Sequence, residues 1–520
     1  MKETLFERLL NHFDINEEQY QKLIAPVTID NFLDGHYFKG MDKAVNLVQE
    51  AVDRKDKIFI YGDYDADGIM STSIVAKALL MKGLVPSFYI PNRYNDGYGI
   101  TVEKAKTIVN DGVKLVITVD NGISAFEAID YLKEHGIKVL IIDHHTIQEK
   151  VPNADAIIHP QYSEFGDVST SAGFVSFMFS WAFLGRFDKY LSTLASISVI
   201  SDMMPLLEYN RNFLRLVFKN FTPGEFYVID LLREGQPFDE NTIGMKIAPK
   251  INALGRLLAD TSINRVVKFF VTPKRETINQ LHEWIVSLNE ERKQVGKDAE
   301  EAFSDVSTED NAIVIMRDVK EGLLGLIANS ICSKEHKPTI VFSSEGETDV
   351  LKGSGRAPAG FNIVDAFNSC GDILITSGGH ALAGGCSIYK KDFEEFKKRF
   401  NNYVNENPVQ VVLTKEVEIG LTEITEENFE LIQSFSPFGE CWKAPNFLLK
   451  RIKTDSLMFS KNGTSITTFI GQSTKLVGFR YTKDDFKDYT YVDFVGRLQH
   501  SFFNNKRSLD FRISEFKETK

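Results

Sequence analysis

The sequence predicts a multidomain α/β protein: a doubly wound parallel sheet, a long connector helix, a second α/β unit and a small carboxyl-terminal β-barrel. Three observations carry that expectation. Short runs rich in β-branched residues recur between residues 46 and 160 with helical patterns between them. A polar stretch beginning at Thr272-Pro-Lys then keeps apolar residues at helical spacing to about Phe303. The last ~110 residues lose the helical period and show short strands and turn signals.

Lys57-Ile-Phe-Ile-Tyr61, Ser87-Phe-Tyr-Ile90, Lys114-Leu-Val-Ile-Thr-Val119, Lys138-Val-Leu-Ile-Ile142 and Ala156-Ile-Ile158 are the five runs. Strands alternating with helices imply parallel pairing through right-handed crossovers. Residues 171 to 270 read as mostly helical and complete this first domain. In the connector, Ile278, Leu281, Ile285 and Leu288 form one apolar stripe, and Asn289-Glu-Glu-Arg-Lys-Gln is charged all round, as suits a helix between domains. Ala312-Ile-Val-Ile315 and Thr339-Ile-Val-Phe342 mark the second α/β unit, and Lys461-Asn-Gly463 and Asn504-Asn505 mark turns in the barrel. The expected boundaries are 1–45 (a segment with no readable motif), 46–271, 272–305, 306–405 and 406–520.

At 520 residues with 43% hydrophobic and 25% charged, the chain can bury several cores, which excludes disordered, collagen-like and coiled-coil classes. The nearly apolar run Phe174 to Gly185 falls short of the ~20 residues a membrane span needs. Met-Lys-Glu-Thr-Leu-Phe-Glu-Arg carries acids early, so no signal peptide and no membrane partner are expected. Four separated cysteines without a C-x-x-C pair argue against a disulfide framework or zinc ribbon and fit a reducing, cytoplasmic setting. The net charge of -12 is uneven: Lys443 to Lys520 holds 15 Lys+Arg against 8 Asp+Glu, a basic module on an acidic body.

Chemistry concentrates at strand ends. Tyr61-Gly-Asp-Tyr-Asp-Ala-Asp-Gly68 places Asp63, Asp65 and Asp67 directly after an apolar strand. An EF-hand reading fails, because Ile74 stands where a bidentate Glu is needed and a strand precedes the loop. Three crowded carboxylates repel one another, so a cation explains the cluster better than a solvated turn does. Thr118-Val-Asp-Asn-Gly122 and Ile141-Ile-Asp-His-His145 again put Asp120, Asp143, His144 and His145 at the carboxyl ends of parallel strands, which line one crevice. One such acid would be an ordinary helix cap; three independent strands are harder to dismiss. Asp202, in Ser198-Val-Ile-Ser-Asp-Met-Met-Pro205, reads equally as a cap, a buried structural acid or a further ligand. Oxygen donors with imidazole suit two Mn²⁺ or Mg²⁺ ions, a pair that serves phosphoester hydrolysis.

With these motifs in order, the chain resembles the DHH phosphoesterase superfamily, and within it the single-strand-specific exonucleases. The Asp143-His144-His145 triplet carries the superfamily signature, and Gly62–Gly68, Val119–Gly122 and Ser201–Leu206 match its other metal-binding motifs. Pro249-Lys-Ile-Asn-Ala-Leu-Gly-Arg256, Gly353-Ser-Gly-Arg356, Ser377–Gly385 and Ser436–Pro445 match further motifs, so the resemblance runs from about residue 46 to 520. It implies a DHH catalytic domain, a DHH-associated domain and an OB-fold barrel. It implies also that Asp63, Asp65, Asp67, Asp120, His144 and Asp202 hold metal, with Asp120 the bridge and His145 either supporting those ligands or facing phosphate. The division of the three motif-one acids between direct ligation and support stays open, and Asp143 reads better as a group that orients a histidine. Met70, Ser201 and Gly384-Gly385 depart from the family pattern without removing a ligand.

Gly353-Ser354-Gly-Arg356 and Gly378-Gly-His380 offer unshielded N–H groups, a guanidinium and an imidazole that together suit a terminal phosphate, although either motif alone reads better as turn glycine. The resemblance implies that Ser354, Arg356 and His380 grip a 5′ phosphate and that Arg93 and Arg256 lie along the strand; Tyr98 reads as a stacking or a core ring. Aromatic residues interleaved with Lys and Arg after Phe447 fit a barrel core with a remainder left for stacking on single strands. The expected function is a two-metal 5′→3′ exonuclease releasing mononucleotides from single-stranded DNA, with single-strand-binding protein and a helicase as implied partners. A phosphodiesterase or pyrophosphatase acting on small substrates is the alternative, distinguished by lacking a basic barrel. A non-catalytic replication scaffold is a third, distinguished by lost ligands.

Overall fold

The computed structural model describes residues 3–32, 37–92, 96, 99–147, 149–162, 169–258, 260–302, 310–346, 349–410, 415–471, 474–503 and 506–519. The chain divides into two compact units, Met1–Thr28 with Pro205–Arg215 and Leu413–Lys520, and Ile29–Met204 with Leu216–Val412. The first two helices, α1 (Leu5–Phe13) and α2 (Glu17–Ile24), belong to the smaller unit.

The larger unit opens with α3 (Met41–Asp53) and continues β1 (Ile58–Tyr61), α4 (Ala66–Met81), β2 (Ser87–Tyr89), α5 (Val102–Asn110), β3 (Leu115–Val119), α6 (Phe126–Glu134), β4 (Lys138–Ile142) and β5 (Ala156–Ile158). The strands pair in parallel in the order β2-β1-β3-β4-β5. The chain leaves β1 to one side for β2 and returns on the other for β3, so a topological switch point lies between β1 and β3, where α/β sheets bind ligands. All five residues of β3 and the last four of β4 are buried, as a sheet covered on both faces requires.

Next come α7 (Ala172–Leu184), apolar nearly all round, and α8 (Lys189–Ser201), which buries Ser192, Thr193, Ser196 and Ser198 beside its apolar residues. The run Phe174 to Gly185 is therefore core helix, and among the described residues no helix is long and apolar enough to cross a membrane. Then follow α9 (Glu208–Asn220), which through Arg215 belongs to the smaller unit, α10 (Tyr227–Arg233), α11 (Glu240–Thr242), α12 (Ala248–Leu257), α13 (Arg265–Val271) and the connector α14 (Arg275–Ala302), which buries Ile278, Leu281 and Ile285. The second sheet uses β6 (Ile313–Arg317), α15 (Leu324–Glu335), β7 (Thr339–Ser343), β8 (Val350–Arg356), α16 (Ile363–Asn368), β9 (Leu374–His380), β10 (Ala383–Tyr389) and α17 (Phe393–Glu406). Its order is β6-β7-β8-β10-β9, with only β6 and β7 parallel.

In the smaller unit, β11 (Val417–Glu418), α18 (Glu426–Gln433), β12 (Phe447–Lys453), β13 (Ser465–Phe469), β14 (Thr474–Phe479), β15 (Tyr491–Phe503) and β16 (Lys506–Glu518) form a mixed sheet ordered β11-β12-β15-β16-β14-β13. Gly463, in the expected turn, takes φ 70°, whereas Asn504-Asn505 lies outside the described residues. Phe447 and Phe494 fill the core, while Phe469 and Phe479 are more than half exposed. The opening residues, expected as a separate segment, share this core: Phe13 stacks on Phe435 at 5.0 Å and on Trp442 at 4.4 Å. Buried Arg211 donates to the carbonyls of Phe435, Ser436 and Pro437 at 2.6, 2.7 and 2.8 Å and lies 5.0 Å from the Trp442 ring.

Candidate active site

The turn between β1 and α4 is built by its own acids and one glycine. Asp65 is the N-cap of α4, its Oδ1 accepting from the Gly68 N–H at 3.0 Å. A Cβ at Gly68 would lie 2.5 Å from the Asp63 carbonyl oxygen, so only glycine lets the helix start so close to the strand. The Ala66 N–H, left without an intrahelical partner at the helix start, donates to Asn252 Oδ1 at 2.9 Å. Asp67, buried in the first turn, faces the N-terminus of α7. Its Oδ2 accepts from the Ala172 N–H at 2.9 Å, and its Oδ1 accepts from the Gly173 N–H at 2.7 Å and Ser198 Oγ at 2.6 Å.

At the end of β3, Asp120 takes φ 60°, a left-handed conformation that non-glycine residues adopt at a cost and that clusters at functional sites. The next residue, Asn121, holds it there: its Nδ2 donates to Tyr61, Gly62 and Val119 carbonyls at 3.2, 3.0 and 2.9 Å, tying the ends of β1 and β3 together. After β4, buried Asp143 accepts from the N–H groups of Ile123, His144 and His145 at 3.0, 2.7 and 3.2 Å and lies 2.8 Å from His145 Nδ1. An ionised carboxylate only accepts, so Nδ1 of His145 carries the proton. His159 Nε2 donates to the His145 carbonyl at 2.8 Å, which fixes the backbone at that position.

These elements converge on one point. His144 Nε2 lies 3.2 Å from Asp120 Oδ1 and 3.6 Å from both Asp67 Oδ2 and Asp202 Oδ2. Three sets of potential ligand atoms each lie within 4.8 Å of one another: Asp63, Asp65 and Asp120; Asp120, His144 and His145; and Asp67, His144 and Asp202. Asp202 caps the end of α8 from 82 residues beyond Asp120.

Electrostatics strain the cluster. Burial, then Asp67, Asp65, Asp63 and Asp202, push the Asp120 carboxyl well above its ordinary range. Burial with Asp67 and Asp65 raises Asp202 to about 9, and burial with Asp67 raises Asp65. Burial works against the charge of Asp143, yet the His145 hydrogen bond and the Ile123 N–H hold it below the usual carboxylate range. Burial works against the charge of His145 too, and Asp143 outweighs it to raise the imidazole. Buried Asp202 Oδ2 accepts no hydrogen bond from the described residues. Crowded hard oxygen donors with an imidazole, carrying more negative charge than the site can hold unaided, fit divalent cations.

Two cavities adjoin the cluster. One of about 200 Å³ is lined by Tyr64, Asp65, Asp67, Asp202, Asn252 and Arg256 among others. A second, of about 450 Å³, is lined by Tyr64, Arg256, Lys352, Ser354 and Arg356 among others. The structure thus brings Arg256, Ser354 and Arg356 to one cavity, which shares Tyr64 and Arg256 with the cavity that Asp65, Asp67 and Asp202 line. His380, exposed at the end of β9, is not among its lining residues, and Arg93 and Tyr98 lie outside the described residues. Sequence reasoning assigned no role to Asn121, Asn252, His159 or Ser198. Asn252 stood inside a quoted motif, but nothing in its spacing named Ala66 as its partner.

The DHH family, N-terminal domain model matches residues 57–199, the DHHA1 domain residues 309–406 and the RecJ OB domain residues 416–515. The single-stranded-DNA-specific exonuclease RecJ of Bacillus subtilis is 29% identical over 512 residues, 93% of this chain, and the chain spans 64% of that relative's length. The protein of the same description from Haemophilus influenzae is 30% identical over 461 residues, covering 81% of this chain and 79% of the relative. The crystal structure of RecJ in complex with Mn²⁺ from Thermus thermophilus shares the fold, with a TM-score of 0.83 over 99% of this chain and 76% of that one at 22% identity. Three domain matches in order, with that identity across most of a relative's length, establish that the chain belongs to the RecJ family of DHH proteins.

Proposed function

We propose that this chain is a two-metal-dependent exonuclease that hydrolyses single-stranded DNA from its 5′ end to 5′-mononucleotides, in DNA repair and recombination. The observation that carries the reading is the convergence of Asp63, Asp65, Asp67, Asp120, His144 and Asp202 at the carboxyl ends of β1, β3 and β4 and the end of α8. Asp120 and His144 each belong to two of the three ligand sets, and Asp120, the carboxylate that joins the Asp63–Asp65 set to the His144 set, is the one with two oxygens to share between two ions. Asp63 and Asp65 would complete one side, and His144, Asp67 and Asp202 the other. Two divalent cations, Mn²⁺ or Mg²⁺, supply Lewis-acid activation of water and charge neutralisation at the leaving oxygen when bound.

The chain's own groups do the rest. Asp143 fixes the ring of His145 through Nδ1 and favours its protonated form, and the imidazolium's opposite nitrogen can then donate to a non-bridging phosphate oxygen. Arg256, Ser354 and Arg356 would hold the 5′ phosphate in the adjoining cavity, with Arg93 and His380 extending that grip, so that the first scissile bond lies over the carboxylates. Cytoplasmic residence and association with single-strand-binding protein and a helicase accord with this role. The test is digestion of long single-stranded DNA labelled at either end, with Mn²⁺, with EDTA and with Asp120→Ala. Mononucleotides released early from the 5′ label only, and lost with EDTA and in the variant, are expected; release from the 3′ label first would sink the assigned polarity.

A further inference from the structure

The first turn of α4 carries two of the acids at the centre, so whatever sets its position sets theirs. Asp65 satisfies the Gly68 N–H from within the turn, but the Ala66 N–H points away from its own helix and needs an acceptor from elsewhere. Asn252, 186 residues further along the chain, supplies it through Oδ1 at 2.9 Å. Three residues on, Gly255 brings α12 against the same turn: a Cβ there would lie 2.3 Å from the Tyr64 carbonyl oxygen. One turn after Asn252, Arg256 lines both cavities, and Tyr64 lines both as well. The start of α12 is itself anchored, because buried Lys250 Nζ donates to the Leu232 carbonyl at 2.8 Å and reaches Glu234 Oε1 at 2.6 Å.

We propose that Asn252 is a positioning residue for the metal centre, and that through it α12 locks the Asp65–Asp67 turn in register with the phosphate-holding Arg256. This deepens the two-metal reading above and rests on it. Because a backbone N–H only donates, the atom Asn252 contributes is an acceptor, and the amide orientation follows from that. A carboxylate at this position keeps the acceptor; an isosteric hydrocarbon does not. Groups that orient metal ligands in this way change affinity or rate by about 10–100-fold when removed.

The test uses the full chain as wild type, Asn252→Leu, Asn252→Asp and Asp120→Ala, with Mn²⁺ binding followed by calorimetry, kcat and KM on 5′-phosphorylated single-stranded DNA, and thermal unfolding. Asn252→Leu is expected to weaken Mn²⁺ binding about tenfold or more and to lower kcat, while KM stays within about threefold. Asn252→Asp is expected to restore Mn²⁺ binding to within about threefold of wild type. If Asn252→Leu does not fold, the folded Asn252→Asp decides: retained Mn²⁺ binding upholds the inference and lost binding overturns it. Wild-type Mn²⁺ binding in a folded Asn252→Leu, or equal impairment of both variants, also overturns it. A wild-type chain that binds no Mn²⁺, indistinguishable from Asp120→Ala, would instead remove the two-metal reading itself.

Discussion

Asp67 shows how a single buried carboxylate is held among like charges. Its Oδ1 accepts from the Gly173 N–H, from Ser198 Oγ and, at 3.3 Å, from Ser71 Oγ, while Oδ2 accepts the Ala172 N–H and lies 3.6 Å from His144 Nε2. The helix dipole of α7 and the hydroxyls together hold the negative charge where the other acids would repel it. Ser198→Ala removes a hydrogen bond to a charged group, and a loss of about 1.5–3 kcal/mol is expected in urea unfolding, with an unchanged midpoint counting against this account. Glu234 makes a contrasting case at the surface. Hydrogen bonds from Lys250 and Lys246 hold its carboxyl down at about 2, against an ordinary 4.5. A depressed carboxyl stabilises the fold above its unfolded value and loses that contribution as pH falls through the folded one. Glu234→Gln should therefore cost most near neutrality, by more than the ~1 kcal/mol of a surface pair because it strips the carboxylate from buried Lys250, and the difference from wild type should shrink between about pH 4.5 and 2. Parallel unfolding curves across that window would contradict it.

Among the elements, α12 makes an expectation that runs against helix propensity. Gly255 sits inside this helix, where alanine would ordinarily add about 1 kcal/mol of stability. Here the Tyr64 carbonyl occupies the space of the methyl group, so Gly255→Ala should destabilise the chain and lower nuclease activity together, and a raised melting temperature would refute the close approach. The contact also marks where sequence legibility ended. The strands β1 to β5 were readable because β-branched runs have a short period, and the acids after β1, β3 and β4 were readable because parallel strands bring their carboxyl ends to one crevice. The groups that hold those acids were not. Ala172 and Ser198 reach Asp67 across 105 and 131 residues, and Asn252 reaches Ala66 across 186. No local pattern encodes such a pair, since any polar residue on a buried helix face reads alike until the packing is known. The same limit applies to α1. Its capping box, Thr4 with Glu7, is a local signal, but the rings stacked on Phe13, Phe435 and Trp442, are more than 400 residues away.

For the molecule as a whole, the smaller unit is discontinuous: Phe13, Tyr20 and Arg211 join residues from 413 onward in one folded body. Deleting the carboxyl-terminal residues would strip partners from α1, α2 and the buried guanidinium of Arg211, so a truncated chain would lose stability as well as any nucleic-acid surface. Point changes on the sheet face separate the two. Along β14, Lys475, Val477 and Phe479 alternate onto one face, and the antiparallel register sets Phe469 opposite Lys475 and Ser465 opposite Phe479. The Lys475 amine lies 5.2 Å from the Phe469 ring and the Arg512 guanidinium 4.8 Å from the Phe479 ring. Exposed rings beside cations, in the segment that carries the basic excess, are the components of sequence-tolerant single-strand binding. Base stacking contributes about 1–3 kcal/mol per ring, so Phe469→Ala with Phe479→Ala should weaken binding of a long single strand at least about tenfold. Because both rings are exposed, unfolding should shift by no more than about 0.5 kcal/mol per change, and Mn²⁺ binding should be untouched. Lys475→Gln with Arg512→Gln should instead reduce the slope of affinity against salt by about 1–2, the signature of lost phosphate contacts. Fluorescence anisotropy of a labelled strand at several salt concentrations reads both effects. Unchanged affinity and slope in all four changes would place the strand on another face of this unit.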